Sequence, residues 1–187
     1  KMQKYLRPPK LGPANKRPMM PVPLVAQSAR DMDDDDDLEL MGEFEILKLT
    51  HHPFIVKQYS VWQAGKHTNG LLEAVLGPNL YELRKTGWKL PEDALKFYIA
   101  CLVLILEYLH DANILYRDLK PENVVIGRDG YPKLVDFGFA KRTKFRCYTT
   151  LGTPDFMSPE LINETGYHVG VDYWALGAVL YDLIAER

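Results

Sequence analysis

The rhythm of apolar positions changes several times along this chain, and the changes mark out its elements. Residues 38–50 repeat at helical spacing through Leu40, Phe44 and Leu47, and Pro53 follows as a stop. Residues 54–62 and 70–76 are short apolar runs suited to paired strands, after which Gly77-Pro78-Asn79 turns the chain away. Pro91 opens a second helix, where its missing N–H costs nothing, and the pattern continues to about His110. Apolar residues cover too much of this helix for a surface position, which predicts the centre of a helical unit. Residues 124–126 and 133–135 read as two short strands joined by a turn at Gly130. Residues 170–186 form a last, strongly apolar helix, and no internal repeat is visible.

The first 37 residues lack any such rhythm. Six prolines fall between Pro8 and Pro23, Lys1, Lys4, Arg7, Lys10, Lys16 and Arg17 precede or interleave with them, and Asp33 to Asp37 close the stretch. This composition predicts an extended or disordered segment. Five adjacent like charges give a cation no fixed geometry, so the aspartates read as a solvated linker. Pro18 and Pro21 make only a weak PxxP docking match.

The whole chain has 187 residues, 47% apolar content and a formal net charge of -2, which predicts a globular domain and implies no nucleic-acid partner. Its longest uninterrupted apolar run, residues 99–106, falls well short of the roughly 20 residues needed to cross a bilayer. Neither a membrane span nor a signal peptide is expected. Cys101 and Cys147 are far apart and form neither a CxxC pair nor a metal cluster, so reduced thiols and a cytoplasmic setting are expected.

The chemistry concentrates in Tyr116-Arg117-Asp118-Leu119-Lys120-Pro121-Glu122-Asn123, followed by Asp136-Phe137-Gly138. Asp118 suits the acceptor for an attacking hydroxyl, and Lys120 suits the neutralisation of a transferring phosphate. Asn123 and Asp136 offer hard oxygens to magnesium, which completes the parts for phosphoryl transfer from ATP. The two stretches resemble the HRDLxxxxN and DFG signatures of the eukaryotic protein kinases. Gly152-Thr153-Pro154 and Ser158-Pro159-Glu160 follow in the family's order and spacing. Tyrosine in place of the leading histidine resembles the AGC branch, which contains the cyclic-nucleotide-dependent serine/threonine kinases. Glu73-Ala74 followed by Leu76-Gly77 looks most like the cyclic-GMP-dependent members.

The resemblance runs from about Leu38 to Arg187 and implies an α+β, protein-kinase-like bilobal fold in incomplete form. Residues 1–37 would be the extended segment, 38–76 part of the small lobe, and 77–187 the large lobe through its central helix. It implies a serine/threonine protein kinase that uses ATP and Mg2+ on protein substrates with basic residues near the acceptor hydroxyl. Asp118 would be the base or hydroxyl-orienting residue, Lys120 the phosphate stabiliser, and Asn123 and Asp136 the metal ligands. Glu43 would be the helix glutamate that pairs with an ATP-positioning lysine. Glu73 and Val75 fit the hinge, Asn79 takes the place of an acidic ribose contact, and Val125 joins the cofactor-binding residues. Arg117 would hold a phosphate on the activation segment, residues 136–160, with Thr149 as the phosphorylated position and Thr150 beside it. Thr153 would bond near Asp118 and Lys120, Glu160 would form a structural ion pair, and Asp172 would tie down the catalytic-loop backbone. Glu122 and Asp182 would contact a basic substrate.

Three departures set an alternative beside this reading. No GxGxxG occurs before Glu43, and no VAxK strand; the nearest imitation, Val25-Ala26-Gln27-Ser28, has serine where the lysine belongs. Positioning and charge stabilisation supply nearly all of phosphoryl-transfer catalysis. The alternative is therefore a weak or inactive pseudokinase, a scaffold component of a larger assembly. Gln58 takes an apolar position in the spine between the lobes, where a buried amide without partners costs roughly 1–3 kcal/mol. The sequence also ends within the family's central helix, which predicts an uncovered apolar patch.

Overall fold

A computed structural model describes Pro8, residues 42–87 and residues 89–185. The Asp-rich run, the predicted helix start at Leu38 and the Val25–Ser28 comparison lie outside the described residues. Helix α1, Glu43–Leu49, carries Glu43 and Glu45 in its first turn and Lys48 in its last, which suits the helix dipole. It buries Phe44, Ile46 and Leu47, and its carboxyl end is closed by Thr50, whose hydroxyl donates to the Leu47 carbonyl at 3.0 Å.

Strands β1, Gln58–Ala64, and β2, His67–Leu72, form an antiparallel hairpin closed around Gly65. Its turn holds Gly65 at φ 64°, a value that glycine adopts without strain. The predicted strand start at Phe54 is corrected here. Phe54, Ile55 and Val56 are almost fully buried, and this segment bonds to Leu134 instead of entering the hairpin, through Val56 N–H to Leu134 O at 3.0 Å and Leu134 N–H to Phe54 O at 2.7 Å. Gly70 is needed where it stands, because a Cβ there would run into the Phe44 ring.

A short helix that the apolar pattern did not suggest, α2 (Leu80–Lys85), follows the turn. Asn79 and Glu82 form its capping box, with Glu82 N–H donating to Asn79 Oδ1 at 2.7 Å and Asn79 N–H to Glu82 Oε2 at 3.0 Å. Helix α3, Glu92–Asp111, begins after Pro91 and buries Ala94, Tyr98, Cys101, Leu102, Ile105 and Leu109 among others. It packs against α5, Gly170–Ala185. Strand β3, Ile114–Leu115, pairs with β6, Lys141–Arg142; between them β4, Val124–Ile126, pairs with β5, Pro132–Leu134. The second of these predicted strands ends one residue early. Helix α4, Pro159–Ile162, precedes α5.

The described residues therefore form an α+β arrangement of helices with three two-stranded antiparallel sheets. One apolar core joins α1, α3, β4, β5 and α5, and a smaller cluster of Leu115, Cys147, Leu161, Tyr167 and Val171 lies beside it. Among the described residues no helix is long and apolar enough to cross a membrane.

Candidate active site

Asp172 is fully buried in the first turn of α5 and anchors the loop after β3. Its Oδ2 accepts Tyr116 N–H at 3.0 Å and its Oδ1 accepts Arg117 N–H at 2.8 Å, while His110 Nε2 lies 2.7 Å from Oδ2. Two adjacent amides fixed on one carboxylate hold the backbone through Arg117, whose φ of 67° is unusual for a long side chain. Pro121 then opens a 3-10 turn over Pro121–Asn123, which brings Asn123 back over Asp118.

Around Asp118 three side chains converge. Its Oδ2 accepts from Lys120 Nζ at 2.7 Å and from Asn123 Nδ2 at 3.0 Å, and its Oδ1 accepts from Thr153 Oγ1 at 2.9 Å. Lys120 Nζ also donates to Thr153 Oγ1 at 2.9 Å, and Asn123 Nδ2 to the Asp118 carbonyl at 2.9 Å. Asp118 and Asn123 are only 4% and 5% exposed, so the lysine, amide and hydroxyl balance a carboxylate that water barely reaches.

The Asp136 loop is fastened alongside. Val135 N–H donates to the Asn123 carbonyl at 3.0 Å, and Tyr116 Oη to the Val135 carbonyl at 2.6 Å. Phe137 is fully buried edge-on to Tyr116, with ring centroids 5.2 Å apart. Asp136 has φ 59° and accepts Gly138 N–H at 3.1 Å. From α1, Glu43 Oε1 accepts Phe137 N–H at 3.3 Å. Burial pushes the Glu43 carboxyl above its usual range, the negative Asp136 adds to the rise, and the Phe137 amide opposes it. Glu43 makes no ion pair among the described residues.

Donor chemistry at this centre fits magnesium with a nucleotide. Both of Asn123's described bonds to Asp118 use its amide nitrogen, which leaves the carbonyl oxygen as its acceptor, and Asp136 brings a second hard oxygen. No three His, Cys, Asp or Glu side chains gather as a metal cage among the described residues. Magnesium bound with phosphates and waters needs only one or two protein carboxylates.

Several expected site residues are engaged elsewhere. Glu73 Oε2 pairs with Lys133 Nζ at 2.9 Å and accepts Lys57 N–H at 3.1 Å. Val75 is 6% exposed within the core, and Val125 is half-buried beside it, bridged to Asn79. The Asn79 side chain caps α2. Asp182 forms an ion pair with Arg84, a partner that nothing local in the sequence signals. Burial pushes the Asp182 carboxyl up, Arg84 pulls it back, and Glu122 and Asp155 add to the rise. One oxygen of Asp182 and one of Glu122 remain buried without a hydrogen-bond partner. Glu160 makes no ion pair among the described residues; its carbonyl accepts from Thr165. Arg117 reaches the Phe139 carbonyl and the Tyr167 hydroxyl, a tyrosine that sequence reasoning did not single out.

The protein kinase domain family matches residues 23–187, and the chain belongs to that family. Within it, the chain is similar to cyclic-nucleotide-dependent kinases. It is 44% identical over 146 residues to the cAMP-dependent protein kinase catalytic subunit of Dictyostelium discoideum, a match covering 78% of this chain and 22% of that protein. A cGMP-dependent protein kinase of Plasmodium berghei is 44% identical over 143 residues, covering 76% of this chain and 17% of that protein. A cAMP-dependent catalytic subunit-like protein of Caenorhabditis elegans is 39% identical over 146 residues, with 78% and 37% covered. The chain thus spans well under half the length of these curated relatives.

Proposed function

We propose that this chain carries the catalytic core of a serine/threonine protein kinase of the cyclic-nucleotide-dependent type, which moves the γ-phosphoryl group of ATP to a protein hydroxyl. The observation that supports it best is the closed set of bonds among Asp118, Lys120, Asn123 and Thr153. Mg-ATP supplies the phosphoryl group and much of the charge neutralisation when it is bound. Asp118 orients the acceptor hydroxyl and takes its hydrogen bond, Thr153 holds the other carboxylate oxygen, and Lys120 faces the transferring phosphate. Asn123 and Asp136 are the proposed magnesium ligands. Residues 38–76 would contribute the small-lobe portion and 77–187 the large lobe. The unpartnered oxygens of Glu122 and Asp182 favour a substrate with basic residues near its acceptor, since a buried carboxylate gains most from a cation.

One observation favours a second reading, a pseudokinase acting as a scaffold: among the described residues Glu43 makes no ion pair, although Asp136 lies near it. Phosphate transfer from labelled Mg-ATP to a basic serine peptide, compared with Asp118→Asn, separates the two. Transfer by the chain that disappears in the variant supports the enzyme. Equal background from both proteins supports the scaffold.

A further inference from the structure

Beyond Asp136 the chain runs from Phe137 to Pro154 without a carboxylate side chain, and within that stretch Lys141, Arg142, Lys144 and Arg146 flank Phe145. Hydrogen bonds fasten this run at both ends. On one side β6 pairs with β3, and Thr143 N–H donates to the Asn113 carbonyl at 2.8 Å. On the other, Cys147 N–H donates to Tyr167 O at 2.9 Å and Tyr167 N–H to Cys147 O at 2.8 Å, an isolated antiparallel bridge. Between these anchors the Thr143 hydroxyl accepts Phe145 N–H at 3.0 Å and donates to the Phe145 carbonyl at 3.3 Å. A threonine turn of this kind bonds the backbone locally, so Lys144, Phe145 and Arg146 form a small tip.

The side chains of the tip face water. Phe145 is 81% exposed, more than any other large apolar side chain described, and Tyr148 is 64% exposed. Arg142 and Lys144 are exposed and make no ion pair among the described residues. Arg146 is exposed as well; its Nη1 donates to the Gly166 carbonyl at 3.2 Å, which leaves its charge uncompensated. A bare aromatic ring among cations is matched by a medium that offers anionic headgroups at its surface and hydrocarbon just beneath. An acidic segment in solution answers the cations and gives the ring no hydrocarbon.

We infer that residues 142–148 form a docking surface for an anionic membrane, with Arg142, Lys144 and Arg146 on the headgroups and Phe145 at the acyl boundary. This contact is peripheral and does not rest on the proposed phosphoryl transfer. It would hold the chain at a lipid surface by the tip of its 136–160 segment.

Cosedimentation of the whole chain with vesicles tests it, comparing phosphatidylcholine alone with phosphatidylcholine carrying about 30% phosphatidylserine, in about 0.1 M salt. Binding to the mixed vesicles is expected to be at least about tenfold tighter. Lys144→Gln should weaken it about fivefold, the share of one cation near a charged surface, and Phe145→Ser about fivefold or more. Both positions are exposed, so the thermal midpoint should hold in each variant. Cys101 and Cys147 are buried, so Phe145→Cys takes an environment-sensitive fluorophore at the tip, and its emission should move to the blue on the mixed vesicles. Equal binding to the two vesicle types, no binding to either, or unshifted emission overturns the membrane contact. Mixed-vesicle binding that both variants keep also overturns it, because the contact then lies elsewhere, as among the cations of residues 1–17. Loss in Lys144→Gln alone overturns it in favour of a soluble acidic partner that reads charge without the ring. Loss in Phe145→Ser alone overturns it in favour of an apolar contact without charge. Vesicle binding reads neither ATP nor transfer, so its failure leaves the kinase reading standing, and an inactive chain leaves the membrane contact standing.

Discussion

Glu43 has the Phe137 N–H to set against its burial and the charge of Asp136, while Gln58 has its Oε1 buried with no partner described. A carboxyl whose folded pKa lies above its unfolded value binds more protons in the native state, so its contribution falls as pH rises through that range. Glu43→Gln keeps an acceptor for Phe137 N–H and removes the charge beside Asp136. It should stabilise the chain at pH 7, with the advantage shrinking as pH drops toward 4; urea unfolding at both values checks this, and a constant difference would rule it out. Gln58 has its Oε1 buried without a partner, and Gln58→Leu should raise stability by about 1–3 kcal/mol. Cys101 is fully buried and its thiol is pushed up to about 12, so iodoacetamide at pH 8 should leave it unmodified until the chain is unfolded. The sequence made Asp118, Lys120 and Asn123 legible as a group because they lie within one tight turn. It could not announce Arg84 with Asp182, or Arg117 with Tyr167, since these pairs are 98 and 50 residues apart and no local period links them.

At the scale of elements, legibility followed length and burial. Helices α3 and α5 were readable to within a residue or two, because continuous apolar pattern over 20 and 16 residues leaves few alternatives. The hairpin was misplaced because Phe54, Ile55 and Val56 have the composition of a strand but belong to the core contact with β5, and the turn signal Gly65-Lys66 fixes where pairing actually closes. Helix α2 has only six residues and one buried position, too little for periodicity, yet its Asn79-x-x-Glu82 capping box was present in the sequence as a start signal. Asn79→Ala should therefore destabilise by about 0.5–2 kcal/mol. If Asn79 instead contributes through ribose alone, the unfolding midpoint without nucleotide will not move.

For the whole molecule, the decisive feature is the side of α5 turned away from α3. Trp174, Tyr181 and Ile184 are 51%, 61% and 61% exposed, and with Gly177 they follow one line along the helix. A helix that is apolar on most faces normally buries them all, and the described residues leave this stripe uncovered. Water contact with three large side chains on one stripe favours self-association, whereas the same residues contribute little to the fold of a single copy. Tyr181→Lys combined with Ile184→Glu should therefore lower the sedimentation-equilibrium mass toward that of one chain while leaving the thermal midpoint nearly unchanged. A lower midpoint with no change in mass would mean that this face is packed in the single chain after all. An unchanged mass and midpoint would mean that the exposed stripe does not associate at the concentrations used. Only the first outcome agrees with an apolar face lacking cover, and it would make the doubly substituted chain the better material for measuring phosphate transfer, because aggregated protein could no longer hide an active site.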